Sequence, residues 1–317
     1  MTTELKLEIL SFKVLAEQWL DTKKAKIKAS TRQKYLSVYN KHIDPIIGND
    51  KLSEITSDRV NDILINLCEN EEISSSLFNI VRYLLSSILK YGVQIGYIKN
   101  VGITVESAHQ SKNTIQILND KQMKLIVKKI NNDINPAHLG IVISLYTGMR
   151  LGEVCALKRK NIDFENDIIH VHQTVQRLSD NYGKTSLIVD APKSKSSYRD
   201  IPIIPYLLMI FKKYGVDKYS DEKYILNNRD IPYEPRTLQY GFSRFTQECE
   251  LTELHYHCLR HTFATNCIRA GMDMKTLSEI LGHSNVGITM NIYVHSDIEQ
   301  KKQQMKLFEN KLFEGIS

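Results

Sequence analysis

The chain lacks any apolar run long enough to cross a bilayer: its longest stretches, such as LGIVISLY, fall far short of the roughly 20 residues a spanning helix requires. The opening residues, MTTELKLEIL, lack the apolar core and cleavage site of a signal peptide. Both absences point to a cytoplasmic protein. Five cysteines, Cys68, Cys155, Cys249, Cys258 and Cys267, are odd in number and form no CxxC pair, which excludes a disulfide framework and a zinc ribbon and leaves reduced thiols. Internal repeats and low-complexity tracts are also missing. Acid is absent between Asp21 and Asp44, where Lys23, Lys24, Lys26, Lys28, Arg32, Lys34 and Lys41 all fall. Against a modest net charge of +6, this local basic strip fits either a polyanion partner or a solvated helix face.

What is present is the composition of a soluble globular protein, with 42% apolar and 25% charged residues over 317 positions, enough for two domains with separate cores. Apolar spacing predicts four helices between about residues 10 and 95. Phe12, Leu15 and Trp19 mark the first, and Ser30 or Thr31 caps the second, which carries Tyr35, Tyr39 and Ile43. The third begins near Asp58, and the fourth follows Ser74–Ser76 and closes at Gly92 and Gly96. Period is lost between Asn100 and Asn119, as in an interdomain linker. Helices then resume, including LGEVCALK, before the strands DIIHVHQTV, TSLIVDA and RDIPII; PKSKSSY would join the last two as a hairpin. The expected fold is mainly α with a small antiparallel β-sheet: a helical domain followed by a mixed α/β domain.

The stretch HCLRHTFAT crowds His257, Cys258, Arg260 and His261 into one turn and its neighbours, with His255 just upstream and His283 further on. A metal site fits poorly. On a helix His257 and His261 share a face while Cys258 and His255 point elsewhere, the glutamate of an HExxH pattern is missing, and Arg260 would repel a cation. A guanidinium at that position suits an anion such as phosphate. TGMRLGE adds Arg150 at a glycine-rich helix start, where backbone N–H groups and a guanidinium can both face an anion. Lys193 in PKSKSSY can serve as a mobile proton donor.

Arg150, Lys193, His257 with Arg260, His283 and Tyr293 stand in that order in TGMRLGE, PKSKSSYRDIP, HCLRHTFAT, LGHSNV and ITMNIYVH. Together they resemble the active-site signatures of the tyrosine recombinases, or phage integrase family, over about residues 10 to 300. The resemblance implies a SAM-like helical core-binding domain at 10–100, a linker at 101–118, a catalytic domain at 119–296 and a tail at 297–317. It implies that Tyr293 attacks a DNA phosphodiester to give a 3′-phosphotyrosyl link, and that Arg150, Arg260 and His283 hold the phosphoryl oxygens. His257 would move the nucleophile's proton and Lys193 would protonate the leaving oxygen, with Lys195 a rival on the same strand face. Glu153, one turn after Arg150, resembles the family's acidic support of that arginine. No metal and no cofactor is implied.

Partners follow from the same resemblance: duplex DNA at specific recombination sites, met in part by Lys23, Lys24, Lys26, Lys28, Arg32 and Lys34, a homotetramer on DNA, and a possible accessory DNA-bending or directionality protein. Ile298, Met305, Phe308 and Leu312 make a tail stripe that would dock on a neighbouring subunit or pack on its own domain. About nine residues precede the first helix, which resembles a core-only recombinase without an arm-binding domain. Integration or excision of a mobile element is favoured, with chromosome-dimer resolution, type IB topoisomerase action or a non-cutting regulator as alternatives.

Overall fold

The computed structural model describes residues 10–70, 73–98, 101–105, 115–179, 185–191, 195–251, 254–293 and 298–313. The chain divides into two compact units, residues 1–114 with 178–184, and residues 115–177 with 185–317. Among the described residues no helix is long and apolar enough to cross a membrane.

The first unit is helical: α1 (Phe12–Lys23), α2 (Ala29–His42), α3 (Asp44–Ile47), α4 (Ser57–Glu69) and α5 (Ser75–Gln94). Its organising element is α5. The Ser74 hydroxyl accepts from Leu77 N–H at 3.2 Å to start it, and Phe78, Val81, Leu84, Leu85, Ile88 and Leu89 then recur at three- and four-residue spacing as a buried stripe. Gly92 does not end this helix, as the sequence suggested, but lies inside it. A Cβ there would come within 2.9 Å of Leu15, so the glycine lets α1 and α5 approach closely. Gly96, at φ +74°, follows the helix end in the left-handed region. The second helix opens at Ala29, with Lys28 as its N-cap, so Ser30 and Thr31 fall inside its first turn rather than capping it; alanine's high helix propensity favours that earlier start. Asn61 holds residues 102–104 against α4, donating to Gly102 C=O at 3.2 Å and accepting from Thr104 N–H at 3.0 Å.

The second unit is built around α7 (Pro136–Thr147), which follows α6 (Asp120–Asn132). Asn135 caps α7 by accepting from the N–H groups of Ala137 and His138, and Pro136 occupies its first turn. Leu139 through Leu145 are buried on every face, the pattern of a central helix. Its polar atoms are satisfied: Ser144 Oγ meets Tyr256 Oη at 2.8 Å, and that hydroxyl donates to Gly140 C=O at 2.9 Å. Around it lie α8 (Leu151–Cys155), α9 (Pro205–Tyr214), α10 (Pro235–Glu248), α11 (Cys258–Arg269), α12 (Met274–Leu281) and α13 (Val286–Tyr293). The tail forms α14 (Ile298–Phe313), with Met305, Phe308, Leu312 and Phe313 exposed.

Among the described residues, five strands make two sheets, an antiparallel one of order β1 (Ile162–Asp163), β2 (Ile168–Val171), β5 (Arg199–Pro202), and a second of β3 (Thr174–Ser179) and β4 (Thr185–Asp190). The expected hairpin across PKSKSSY is therefore corrected: the strand after it pairs with β2, not with β4. The reason is burial. Arg199 and Ile201 face inward on β5 and match the buried Ile169 and Val171 of β2, whereas β4 is mostly exposed. β4 and β5 thus belong to different sheets, and Lys195–Ser197 forms a 3₁₀ turn just before β5.

Gly148 ends α7 in the left-handed region at φ +64°, and a Cβ there would meet Phe263 at 2.6 Å and Leu281 at 2.7 Å. Gly148→Ala is therefore expected to destabilise the second unit by about 2–4 kcal/mol, from the left-handed backbone penalty plus overpacking. Denaturant unfolding checks this, and a loss below about 0.5 kcal/mol would show that neither strain is present.

Candidate active site

Gly148 also begins the site, because its carbonyl accepts from Arg260 Nη1 at 2.6 Å. Two residues on, Arg150 is the N-cap of α8, and the turn closes on itself: Glu153 Oε2 accepts from Arg150 N–H at 2.8 Å while Oε1 accepts from its Nη1 at 2.9 Å. Arg150 Nη2 donates to Gly282 C=O at 3.1 Å. That carbonyl is fixed by the left-handed cap of α12, Gly282 at φ +65°. Arg150 keeps 38% of its side chain exposed while Glu153 keeps 4%, so the guanidinium fronts a cleft whose back wall is the carboxylate.

Arg260, on the first turn of α11, is 2% exposed and donates to Gly148 C=O, to Leu281 C=O at 2.8 Å and to His283 Nε2 at 2.8 Å. A guanidinium only donates, so His283 Nε2 is the unprotonated nitrogen in this state. Its Nδ1–H then donates to the buried hydroxyl of Thr289 at 2.8 Å. That hydroxyl can also donate, so it supports either tautomer. His257, the N-cap of α11, packs edge-on to His261 with ring centroids 4.6 Å apart. Arg150, Glu153, His257, Arg260 and His283 line one cleft of about 770 Å³.

Burial, and then the charges of Arg260 and Arg150 among others, lower His283 to about 4. Burial, followed by His261, Arg260 and Arg150, lowers His257 to about 4 as well. Burial would raise Glu153, but hydrogen bonds and charge from Arg199, then Arg150, hold it below its ordinary value. The cleft is thus cationic, with both histidines neutral at pH 7. Cys258 is buried in the core and its thiol is pushed up to about 12, which leaves it a packing residue rather than a ligand.

Of the residues singled out in the sequence, Arg150, Glu153, His257, Arg260 and His283 come together. Tyr293 is the last residue of α13, ten positions after His283, and its side chain lies outside the described residues. Lys193 lies outside them too, as does the side chain of Lys195. Lys23, Lys24, Lys26, Lys28, Arg32 and Lys34 belong to the first unit. Lys24, Lys26, Lys28 and Lys34 are exposed there, Lys23 lies 5.3 Å from the Trp19 ring centroid, and Arg32 approaches Asp21 at 3.9 Å. Two residues were missed. Arg199 reaches Glu153 from β5, and Thr289 supports His283; an inward-facing arginine at strand period with Ile201 was the available signal for the first. Among the described residues one further cluster, His170, His172 and Asp200, brings possible metal ligands within 4.8 Å of one another. It is organised as a cross-strand pair: His170 faces Asp200 in the β2–β5 register, with Nδ1 2.6 Å from Oδ1.

The neutral histidines have a consequence for stability. Unfolded, each titrates near 6.5, whereas folded each holds out to about 4, so the unfolded chain takes up protons first as pH falls. Stability is unaffected above about pH 7 and declines from about 6.5 toward 4. His257→Gln and His283→Gln should each flatten that decline, recovering ~2–4 °C of melting temperature at pH 5 relative to the wild-type loss from pH 7.5. Identical slopes in thermal melts would contradict neutral burial of these rings.

Comparison with known proteins agrees with this geometry. Residues 116–300 match the model of the phage integrase family, and residues 11–67 match that of the phage integrase N-terminal SAM-like domain. A XerC-like tyrosine recombinase of Caldanaerobacter subterraneus subsp. tengcongensis is 27% identical over 266 residues, covering 76% of this chain and 67% of that protein. The transposase of transposon Tn916 from Enterococcus faecalis is 30% identical over 184 residues, which is 52% of this chain but only 44% of the transposase. The Tn1549 transposon integrase in complex with a circular intermediate DNA shares the fold, with TM-score 0.75, 20% identity and coverage of 94% of this chain and 99% of that one. With more than half of its length matched by the catalytic-domain model and the arginine–histidine cleft in place, the chain belongs to the phage integrase family of tyrosine recombinases.

Proposed function

We propose that the chain is a site-specific DNA recombinase that breaks and rejoins strands through a 3′-phosphotyrosyl intermediate. The observation that carries this reading is the cleft itself: two arginines and two neutral histidines converge where a phosphodiester would sit, and among the described residues that line it the one acid is the buried Glu153. Phosphoryl transfer asks for charge compensation and alignment more than for covalent assistance, and this cluster offers both. Arg150 meets one non-bridging oxygen. Arg260 meets another by exchanging the His283 Nε2 acceptor for phosphate. His283 then shifts its proton to Nε2 and donates to the phosphate, with the Thr289 hydroxyl donating to Nδ1 in turn.

Tyr293 is the nucleophile and His257 its proton acceptor. A ring held near 4 is a poor base, but a bound phosphodiester adds negative charge and raises it toward neutrality. Lys193, or its neighbour Lys195, protonates the leaving 5′-oxygen. The side chains supply all the charge stabilisation, so the reaction needs no metal or other cofactor and no ATP, because the phosphotyrosyl bond conserves the energy of the broken one.

The partner is duplex DNA, with Lys23, Lys24, Lys26, Lys28, Arg32 and Lys34 engaging phosphates, so that affinity falls steeply with salt. The exposed apolar side chains of α14 support docking on a second copy and a homotetramer on DNA. An accessory DNA-bending or directionality protein fits this assembly. The likeness to a transposon's transposase favours integration or excision of a mobile element over chromosome-dimer resolution.

Covalent trapping tests the reading: a nicked suicide duplex carrying the junction sequence that flanks the encoding element, in EDTA, with wild type and Tyr293→Phe. The expected result is an SDS-resistant protein–DNA adduct with wild type only. An adduct that survives Tyr293→Phe names another nucleophile. Salt-sensitive binding without any adduct would support a regulator, and relaxation of supercoiled DNA regardless of sequence would support a topoisomerase.

A further inference from the structure

Arg150 and Glu153 alone sum to zero charge, and a neutral pair offers an anionic phosphodiester little attraction. A buried carboxylate with one cation for company would also draw that cation into a two-pronged pair and away from the cleft. The structure holds a second cation against the same carboxylate. Arg199 donates Nη1 to Oε1 at 3.1 Å and Nη2 to Oε2 at 2.7 Å, with 5% of its side chain exposed. Its Nε donates to Ile280 C=O at 2.5 Å and Nη1 also reaches Ser197 C=O at 3.2 Å. Arg199 is not among the residues that line the cleft.

We infer that Arg199 is a positioning residue that cancels the charge of Glu153, so that the carboxylate can align Arg150 while the charge of Arg150 remains available to the scissile phosphate. The inference rests on the recombinase reading above. Its logic is a sum: two guanidiniums and one carboxylate leave one positive charge, and the single exposed member of the three is Arg150. The bidentate grip of Arg199 occupies the carboxylate edge that Arg150 would otherwise take, so Arg150 engages Oε1 through one nitrogen and turns its other to the Gly282 carbonyl at the cleft edge. Through Ile280, at the end of α12, the same guanidinium also ties β5 to the segment that presents Gly282 and His283.

The test compares Arg199→Met, Arg199→Lys, Glu153→Gln and the double variant Glu153→Gln/Arg199→Met in the full chain. Single-turnover adduct formation on the nicked duplex gives the rate, and fluorescence anisotropy gives DNA affinity. Arg199→Met is expected to cleave about 10²-fold more slowly at unchanged affinity, and Arg199→Lys to lie between it and wild type. With the carboxylate charge gone, Arg199 becomes dispensable, so the double variant should cleave within about threefold of Glu153→Gln and at least ~10-fold faster than Arg199→Met. A side chain needed only for packing would make the double variant the slowest, and that result overturns the proposal, as does wild-type cleavage by Arg199→Met. If Arg199→Met fails to fold, the comparison of the double variant with Glu153→Gln still decides, and loss of the fold in both arginine variants assigns Arg199 to the fold alone and overturns it. Absence of an adduct with wild type removes the recombinase reading and this inference with it, whereas slow variants beside an active wild type leave that reading intact.

Discussion

A carboxylate buried at 4% exposure is stable as an anion only with partners, and Glu153 has four donors: the backbone N–H and one nitrogen of Arg150, and two nitrogens of Arg199. The rest of the site depends on that arrangement. It fixes the N-terminal turn of α8, binds β5 to it, and aims Arg150 into the cleft. Removing either guanidinium takes donors from a buried carboxylate and leaves a neutral pair behind, and removing the carboxylate leaves cations to repel one another.

The second support is a pair of left-handed glycines. Gly148 and Gly282 end α7 and α12, and their carbonyls accept from Arg260 and Arg150 respectively. Helix ends leave carbonyls without intrahelical partners, and here acceptors at two helix ends become the clamps for two guanidiniums that line the cleft. The fold therefore holds its arginines by backbone groups rather than by further acids. That preserves the positive potential of the cleft, which extra carboxylates would cancel, and burial together with that potential keeps His257 and His283 neutral.

Much of this was legible in the sequence because local spacing carries it. Arg150 and Glu153 are one helical turn apart, His257 and Arg260 share a turn, and the apolar stripes of α1, α4 and α5 follow helical period, so each could be read within a short window. What escaped were contacts between distant segments. Its β-rich residues marked RDIPII as a strand but not which strand it joins, so β5 was given the wrong neighbour. Arg199 meets Glu153 across 46 positions, and an arginine after a tyrosine in a strand reads as a surface residue unless its face is known to be that of Ile201. Thr289 was likewise visible only as one letter in ITMNIYVH until His283 was seen to lie 2.8 Å from its hydroxyl.

The central claim is a division of labour among three arginines, with Arg150 and Arg260 on the phosphate and Arg199 on the carboxylate. The most direct measurement is a crystal structure of the protein on a nicked duplex with vanadate trapped between Tyr293 and the 5′-hydroxyl strand, as a mimic of the pentavalent phosphorus. The account predicts guanidinium nitrogens of both Arg150 and Arg260 about 3 Å from equatorial vanadate oxygens, with Arg199 still bidentate on Glu153. Arg199 bound to the vanadate, or Arg150 withdrawn into a two-pronged pair with Glu153, would contradict it.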